Sequence, residues 1–255
     1  MNEHELVIAQ YSDSHLFADV NGLHCGTNVY QNLIKVLTNI VHNDAIDVVI
    51  FTGDLTQDHS KESYQNFVKA VKSCKLTKPL YYIAGNHDEY ELLAHFLVAP
   101  PFKQEKVINT KNWQINLINS KSLSPAGWIE ELTLQQLAIP LVENQHQMLF
   151  MHHHPLNVGY FIDRHALQNQ QHFWQALTSN SKVKAIACGH VHRGLHLTKH
   201  LKNHQLDVFT CPATSIQFDP NYDDVKALAG EAGRAGYRLF YLSEVGKVKT
   251  EICMV

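Results

Sequence analysis

Leu6-Val7-Ile8-Ala9-Gln10-Tyr11-Ser12-Asp13-Ser14-His15 is the stretch that decides the fold: a short, apolar, β-rich run that breaks off into an aspartate and a histidine. Runs of this kind form strands buried on both faces of a sheet. The pattern recurs four times. Val48-Val49-Ile50-Phe51 precedes Gly53-Asp54, and Leu80 to Ala84 precedes Gly85-Asn86-His87-Asp88. Met148 to Met151 precedes His152-His153-His154, and Lys184 to Cys188 precedes Gly189-His190-Val191-His192. Groups at the carboxyl ends of strands converge in the crevice where α/β proteins bind ligands, so one enzyme site drawing on all five segments is the economical reading.

Helical patterns separate the runs, which argues for parallel βαβ units. From Asn28 to Asn43, the residues Val29, Leu33, Val36, Leu37, Ile40 and Val41 share one helical face. A second helix is predicted over Ser60 to Cys74, with Ser60 as N-cap and Ser63, Lys69 and Lys72 outside, and a third over Ala166 to Leu177. Val107-Ile108-Asn109 and Trp113 to Ile118, joined through Lys111-Asn112, read as an antiparallel hairpin. Further strands are predicted at Val208 to Cys211, Tyr237 to Leu242 and Val248 to Ile252, with a polar loop or flap over 219–236. The expected fold class is α/β, two packed mixed β-sheets flanked by helices. No repeat or linker-like tract divides the chain, so residues 1–255 are expected to form one domain.

The chain has 255 residues, 45% of them hydrophobic, enough for a substantial core. A formal charge of -3 without a basic block gives no footprint for nucleic acid or a membrane surface, so a small substrate is expected. Five cysteines without Cys-x-x-Cys spacing suggest neither a disulfide framework nor a thiolate zinc site. The N-terminus Met1 to Glu5 is polar, the apolar run after it ends at Asp13, and no run approaches the roughly 20 apolar residues of a spanning helix. A cytoplasmic protein is expected.

Asp13-x-His15 places a carboxylate and an imidazole two residues apart, on the same side of an extended chain, where one metal can take both. Asp54 supplies an oxygen able to bridge two cations, and Gly53 permits close backbone approach. Asn86 adds an amide oxygen suited to a hard metal. His87 would sit beside the metals without ligating them, oriented by Asp88 and able to deliver a proton. His190-x-His192 repeats the two-residue spacing and can split its rings between two metals if the backbone bends. In His152-His153-His154, one or at most two rings can face the site from an extended chain. This mixture of aspartate, asparagine and histidine suits a pair of borderline or hard cations. Of the other histidines, His4, His42, His59, His95, His146, His172, His200 and His204 read as surface residues, while His24 and His165 stay open.

Asp-x-His, Gly-Asp, Gly-Asn-His-Asp, the histidines before Pro155, and Gly-His-x-His, in this order over residues 13–192, resemble the calcineurin-like metallophosphoesterase superfamily. Asp13-Ser14-His15-Leu16-Phe17, Thr52 to Asp58, His152 to Leu156, Cys188 to His192 and Pro212 to Phe218 are similar, over almost the whole chain, to bacterial class III 3',5'-cyclic nucleotide phosphodiesterases. The resemblance implies one metal on Asp13, His15, Asp54 and His192, and another on Asp54, Asn86, His153 and His190, with His153 chosen because it lies two positions before Pro155. It implies two ions, iron or manganese with zinc possible, and a cyclic nucleotide as the small-molecule partner. A homodimer is compatible with it. Two cations about 3.5 to 4 Å apart would neutralise the phosphate and lower the pKa of a shared water towards about 7. His15, Asp54, Asn86, His87 and His192 would face the bound nucleotide. Cyclic AMP would open to 5'-AMP, with His87 and Asp88 serving the leaving 3'-oxygen. A glycerophosphodiester or a 2',3'-cyclic nucleotide is the alternative substrate, and a non-catalytic scaffold the alternative class.

Overall fold

A computed structural model describes residues 6–139 and 145–255. The expectations for Met1 to Glu5, His4 included, lie outside the described residues. In chain order the elements of the first half are β1 (Leu6–Tyr11), β2 (Leu23–His24), β3 (Thr27–Asn28), α1 (Val29–Val41), β4 (Val48–Phe51), α2 (Lys61–Ser73), β5 (Leu80–Tyr82), α3 (Tyr90–Phe96) and β6 (Phe102–Lys103). There follow β7 (Val107–Asn109), β8 (Trp113–Leu117), α4 (Glu131–Ala138), β9 (His146–Met151), α5 (Gln170–Leu177), β10 (Val183–Cys188), β11 (His196–His200), β12 (Gln205–Thr210), β13 (Gly236–Leu242) and β14 (Val248–Met254).

Two mixed sheets result, with strand orders β14-β13-β1-β4-β5-β6 and β11-β12-β10-β9-β8-β7. Their centres are parallel, β1 beside β4 and β9 beside β10; antiparallel strands β14, β11 and β7 close three edges, and β6 joins the fourth in parallel. Alternation along the strands assigns each residue to a layer. Leu6 and Ile8 of β1 pack between the sheets with Met148 and Phe150 of β9 and Ala185 and Ala187 of β10. Val7, Ala9 and Tyr11 face the other way, onto Leu33, Val36 and Leu37 of α1 and Phe67 of α2. On the second sheet Leu149, Met151 and Ile186 point outward to Leu134 of α4 and to Phe173 and Trp174 of α5. Because helices cover both outer faces, the central strands are apolar at nearly every position, and the α/β sandwich expected from the sequence is the observed one.

The helix caps follow local chemistry. Asn28 accepts from the Gln31 amide to start α1, and Ser60 accepts from Ser63 to start α2. Ser63, however, is buried rather than outside: its hydroxyl donates to the Ser60 carbonyl at 2.7 Å and lies 2.8 Å from Thr56 Oγ1. The third helix begins at Gln170, not Ala166. Ahead of it, Leu167 and Gln168 spend their amides on the carbonyls of His154 and Gly127, bonds that hold the histidine loop.

Candidate metal centre

The two sheets bring the ends of β1, β4, β9 and β10 to one edge, together with the loop after β5. Strand geometry stops just short of the ligand-type residues. Asp13, His15, Asp54, His190 and His192 all adopt left-handed backbone, with φ of +56°, +45°, +57°, +65° and +53°. Non-glycine residues rarely sit there, and such conformations cluster at functional sites at about 1–3 kcal/mol each. The expectation that extended chain carries Asp13 and His15 to one side is therefore corrected: sharp turns do it. The same bend separates the rings of His190 and His192. Space for the turns comes from glycine, since a Cβ on Gly53 would lie 2.3 Å from the Gly85 nitrogen, and one on Gly85 would lie 2.1 Å from Asp54 Oδ1.

Two imidazole pairs result. His15 Nε2 and His192 Nε2 are 3.1 Å apart, and Asp13 Oδ1 lies 3.5 Å from His192 Nε2. His152 Nε2 lies 3.1 Å from both His190 Nδ1 and Asn86 Oδ1. Asp54 Oδ2 stands between the pairs, 3.7 Å from His15 Nε2 and 3.3 Å from His152 Nε2. All these residues are buried except Asn86, which is partly so.

The outward nitrogens fix the tautomers. Nδ1 of His192 donates to the Ile216 carbonyl at 2.8 Å, Nδ1 of His152 donates to the Thr52 carbonyl at 2.7 Å, and Nδ1 of His15 lies 2.8 Å from Gln57 Oε1. In neutral rings that leaves Nε2 lone pairs aimed at one another and at carboxylate oxygens. Acceptors packed against acceptors in a buried site require a cation, so the residues fit a metal pair. Without metals, a proton plays the part: burial opposes charge on His152, but Asp54 and Asp13 push its pKa up to about 9. Asp54 is likewise buried, yet His152 and His87 hold its pKa well below the ordinary carboxylate value.

His152 and His153 both form a close donor group with His190, and His152 is the one that also faces Asp54 and Asn86. The His153 ring touches His190, but its Nδ1 lies 2.9 Å from the Ser120 hydroxyl and its Nε2 donates to the Pro125 carbonyl at 3.1 Å. Neither nitrogen has a free lone pair. His154 turns away to Asp163, at 3.1 Å. The role expected for Asp88 is corrected. Its carboxylate does not meet the His87 ring; it accepts the amides of Gly85, Asp54 and Leu55, each at 2.8 Å, and so ties the β4 and β5 loops together. His87 is positioned instead through its own amide, which donates to Asp54 Oδ1 at 2.9 Å, and through ring contacts with His15 and His59.

Above the centre lies a cleft of about 300 Å³ whose walls include His15, Asp54, Asn86, His87, His190 and His192. Phe161, Ile162 and Phe218 form its apolar side, and the Phe218 ring lies flat on His192 with centroids 3.9 Å apart. The Pro212 to Phe218 segment also grips the site from below, as Thr214 and Ser215 donate to the carbonyls of Ser12 and Asp13. His24 and His165, left open by the sequence, both line this cleft. Gln57, inside the Thr52 to Asp58 segment, and Ser120, outside every motif, hold rings in place, and neither was singled out from the sequence. No helix among the described residues is long and apolar enough to cross a membrane.

A family profile described as calcineurin-like phosphoesterase matches residues 6–194. A Colwellia psychrerythraea protein named probable cyclic nucleotide phosphodiesterase is 51% identical, covering 100% of this chain and 97% of its own length. The Escherichia coli K12 protein named 3',5'-cyclic adenosine monophosphate phosphodiesterase CpdA is 30% identical, over 96% of this chain and 88% of its own length. Among solved structures, a dimetal phosphatase from Danio rerio superposes with a TM-score of 0.63 at 13% identity, covering 98% of this chain and 99% of its own. The purple acid phosphatase PPD1 from yellow lupin gives a TM-score of 0.60 at 14% identity, over 98% of this chain and 53% of its own. These two likenesses show the fold.

Proposed function

The chain belongs to the calcineurin-like phosphoesterase family, and from that premise we propose that it hydrolyses 3',5'-cyclic AMP to 5'-AMP at a dinuclear metal centre. The observation that carries the metal reading is the place of Asp54 Oδ2 between two inward-facing imidazole pairs. One ion would be held by Asp13, His15, Asp54 and His192, the other by Asp54, Asn86, His152 and His190. This nitrogen and oxygen set suits iron, manganese or zinc. Two such cations supply Lewis acidity that offsets the phosphate charge and lowers the pKa of water.

The protein's own groups supply the rest. Thr52, Gln57 and Ile216 keep three imidazoles in the tautomer that leaves Nε2 available. His87, held by Asp54 and lining the cleft, is placed to give a proton to the departing 3'-oxygen. Asn86 and His87 face the phosphoryl group, while Phe161, Ile162 and Phe218 offer an apolar wall to the nucleoside. The choice of cyclic AMP rests on the names of the relatives. Its test is a product assay in ¹⁸O-labelled water over 3',5'-cyclic AMP, 2',3'-cyclic AMP and glycerophosphodiesters. One label on the phosphate of 5'-AMP is expected; 3'-AMP would refute the leaving group. Inert cyclic AMP beside rapid glycerophosphodiester cleavage would move the substrate to the alternative.

A further inference from the structure

His24 reaches the cleft from outside both sheets. It lies on β2, which pairs with β3 through His24 opposite Thr27 and Leu23 opposite Asn28. Cys25 and Gly26 close this hairpin with φ of +47° and +79°, the positive pair that a two-residue turn of the tightest kind requires. Asn28 anchors it, because its side chain caps α1 while its amide group donates to the Val20 carbonyl at 3.1 Å. The hairpin is thus held rigidly against the helix, and its histidine is presented at a fixed place.

That place is beside the metal centre but not in it. The His24 ring lies 5.3 Å from the His15 ring, centroid to centroid, and forms cleft wall together with His15, His87 and His192. It belongs to none of the close donor clusters able to hold a metal among the described residues. Its Nδ1 is buried without a hydrogen-bond partner. A buried polar atom left unpaired costs about 1–3 kcal/mol, and native structures keep such atoms mainly where a water, ion or ligand completes them. The ligand that fits is set by the surroundings. Asp54 lines the cleft and makes it acidic, with Asp13 buried close by, so a phosphoryl group entering it needs N–H donors from the walls. The nitrogens of His15, His152 and His192 are committed to carbonyl or amide oxygens on one side and to the metal centre on the other. An imidazole on the His15 side with an unpaired nitrogen is a free donor.

We infer that His24 is a substrate-binding residue whose imidazole donates a hydrogen bond to a phosphoryl oxygen of the bound phosphoester, on the His15 side of the site. This rests on the metal-centre reading above and adds to it a contact outside the sequence motifs.

The test compares His24→Ala and His24→Gln with the parent in manganese-loaded protein, using inorganic phosphate as the probe. Calorimetric phosphate affinity should fall about 10-fold or more in the alanine variant, as for loss of a hydrogen bond to a charged group, with both metals retained. The glutamine variant, which keeps an N–H donor, should recover part of it. KM for a phosphodiester should rise alongside. Phosphate affinity within twofold of the parent in both variants, with metals intact, overturns the inference. So does loss of metal in both, which would make His24 a support for His15. Should the alanine variant not fold, ring resonances of His24 in zinc-loaded parent decide: a shift on adding phosphate supports the contact, and none overturns it. A parent that binds phosphate through His24 yet cleaves no phosphodiester would instead sink the proposed function alone.

Discussion

The Nε2 atom of His152 faces the Nδ1 atom of His190 at 3.1 Å, and both residues are buried. The pairing separates His152 from the two histidines that follow it, and it generates the sharpest test of the ligand set. His152→Ala is expected to lose one metal ion per chain and nearly all turnover, whereas His153→Ala should keep both ions. His153→Ala should be destabilised by about 1–3 kcal/mol, since Ser120 and Pro125 lose their partner. Metal analysis of the two purified variants decides, and the reverse outcome would make His153 the ligand.

Chelation is expected to abolish activity and added manganese or iron to restore it. The ions should also stabilise the fold, by about 2.7 kcal/mol at a hundredfold excess over Kd, because they separate acceptor atoms that otherwise face one another. Asp54→Ala should be the most damaging single change at the centre, since its carboxylate stands between both imidazole pairs. Two ions bound to that variant with parental affinity would show that Asp54 is not the bridge.

His87→Ala should retain both metals and lose roughly 10²–10⁴-fold in turnover if the ring protonates the leaving group. The deficit should shrink on a p-nitrophenyl ester, whose leaving group needs no proton. Equal deficits on p-nitrophenyl and alkyl esters would leave His87 a phosphate-binding residue.

Asp163 gives a pH signature. Burial pulls its pKa up, but the His154 ring and the Val158 and Gly159 amides bind the ionised form and hold the pKa below the ordinary value. A depressed folded pKa means stability present above the unfolded pKa and lost as pH falls through the folded one. In chelator-treated protein, Asp163→Asn should therefore melt lower than the parent at about pH 7, with the gap closing below about pH 4. A gap constant across that range would show that the carboxylate charge contributes nothing.

Much of this molecule was legible in the chain. The runs at Leu6, Val48, Met148 and Lys184 read as strands because helices cover both outer faces, so nearly every position along them is apolar and the pattern does not depend on register. Asp13, His15, Asp54, Asn86, His190 and His192 stood out because each follows such a run. Composition and spacing carry that much. They do not carry direction. Which of three consecutive histidines turns inward depends on whether Ser120 and Pro125, from a distant loop, occupy the His153 nitrogens. Asp88 is adjacent to His87 in sequence, yet the nearest unpaired groups in space are three backbone amides, and a buried carboxylate goes to them. His24 sits on a two-residue hairpin with no periodicity to read, and only the folding of that hairpin onto His15 brings it to the cleft. The sequence by itself determined the strands, the layers and the donor chemistry, which are set by local polarity. Tertiary structure alone decided the aim of each side chain, because hydrogen-bond partners far apart in sequence compete for it.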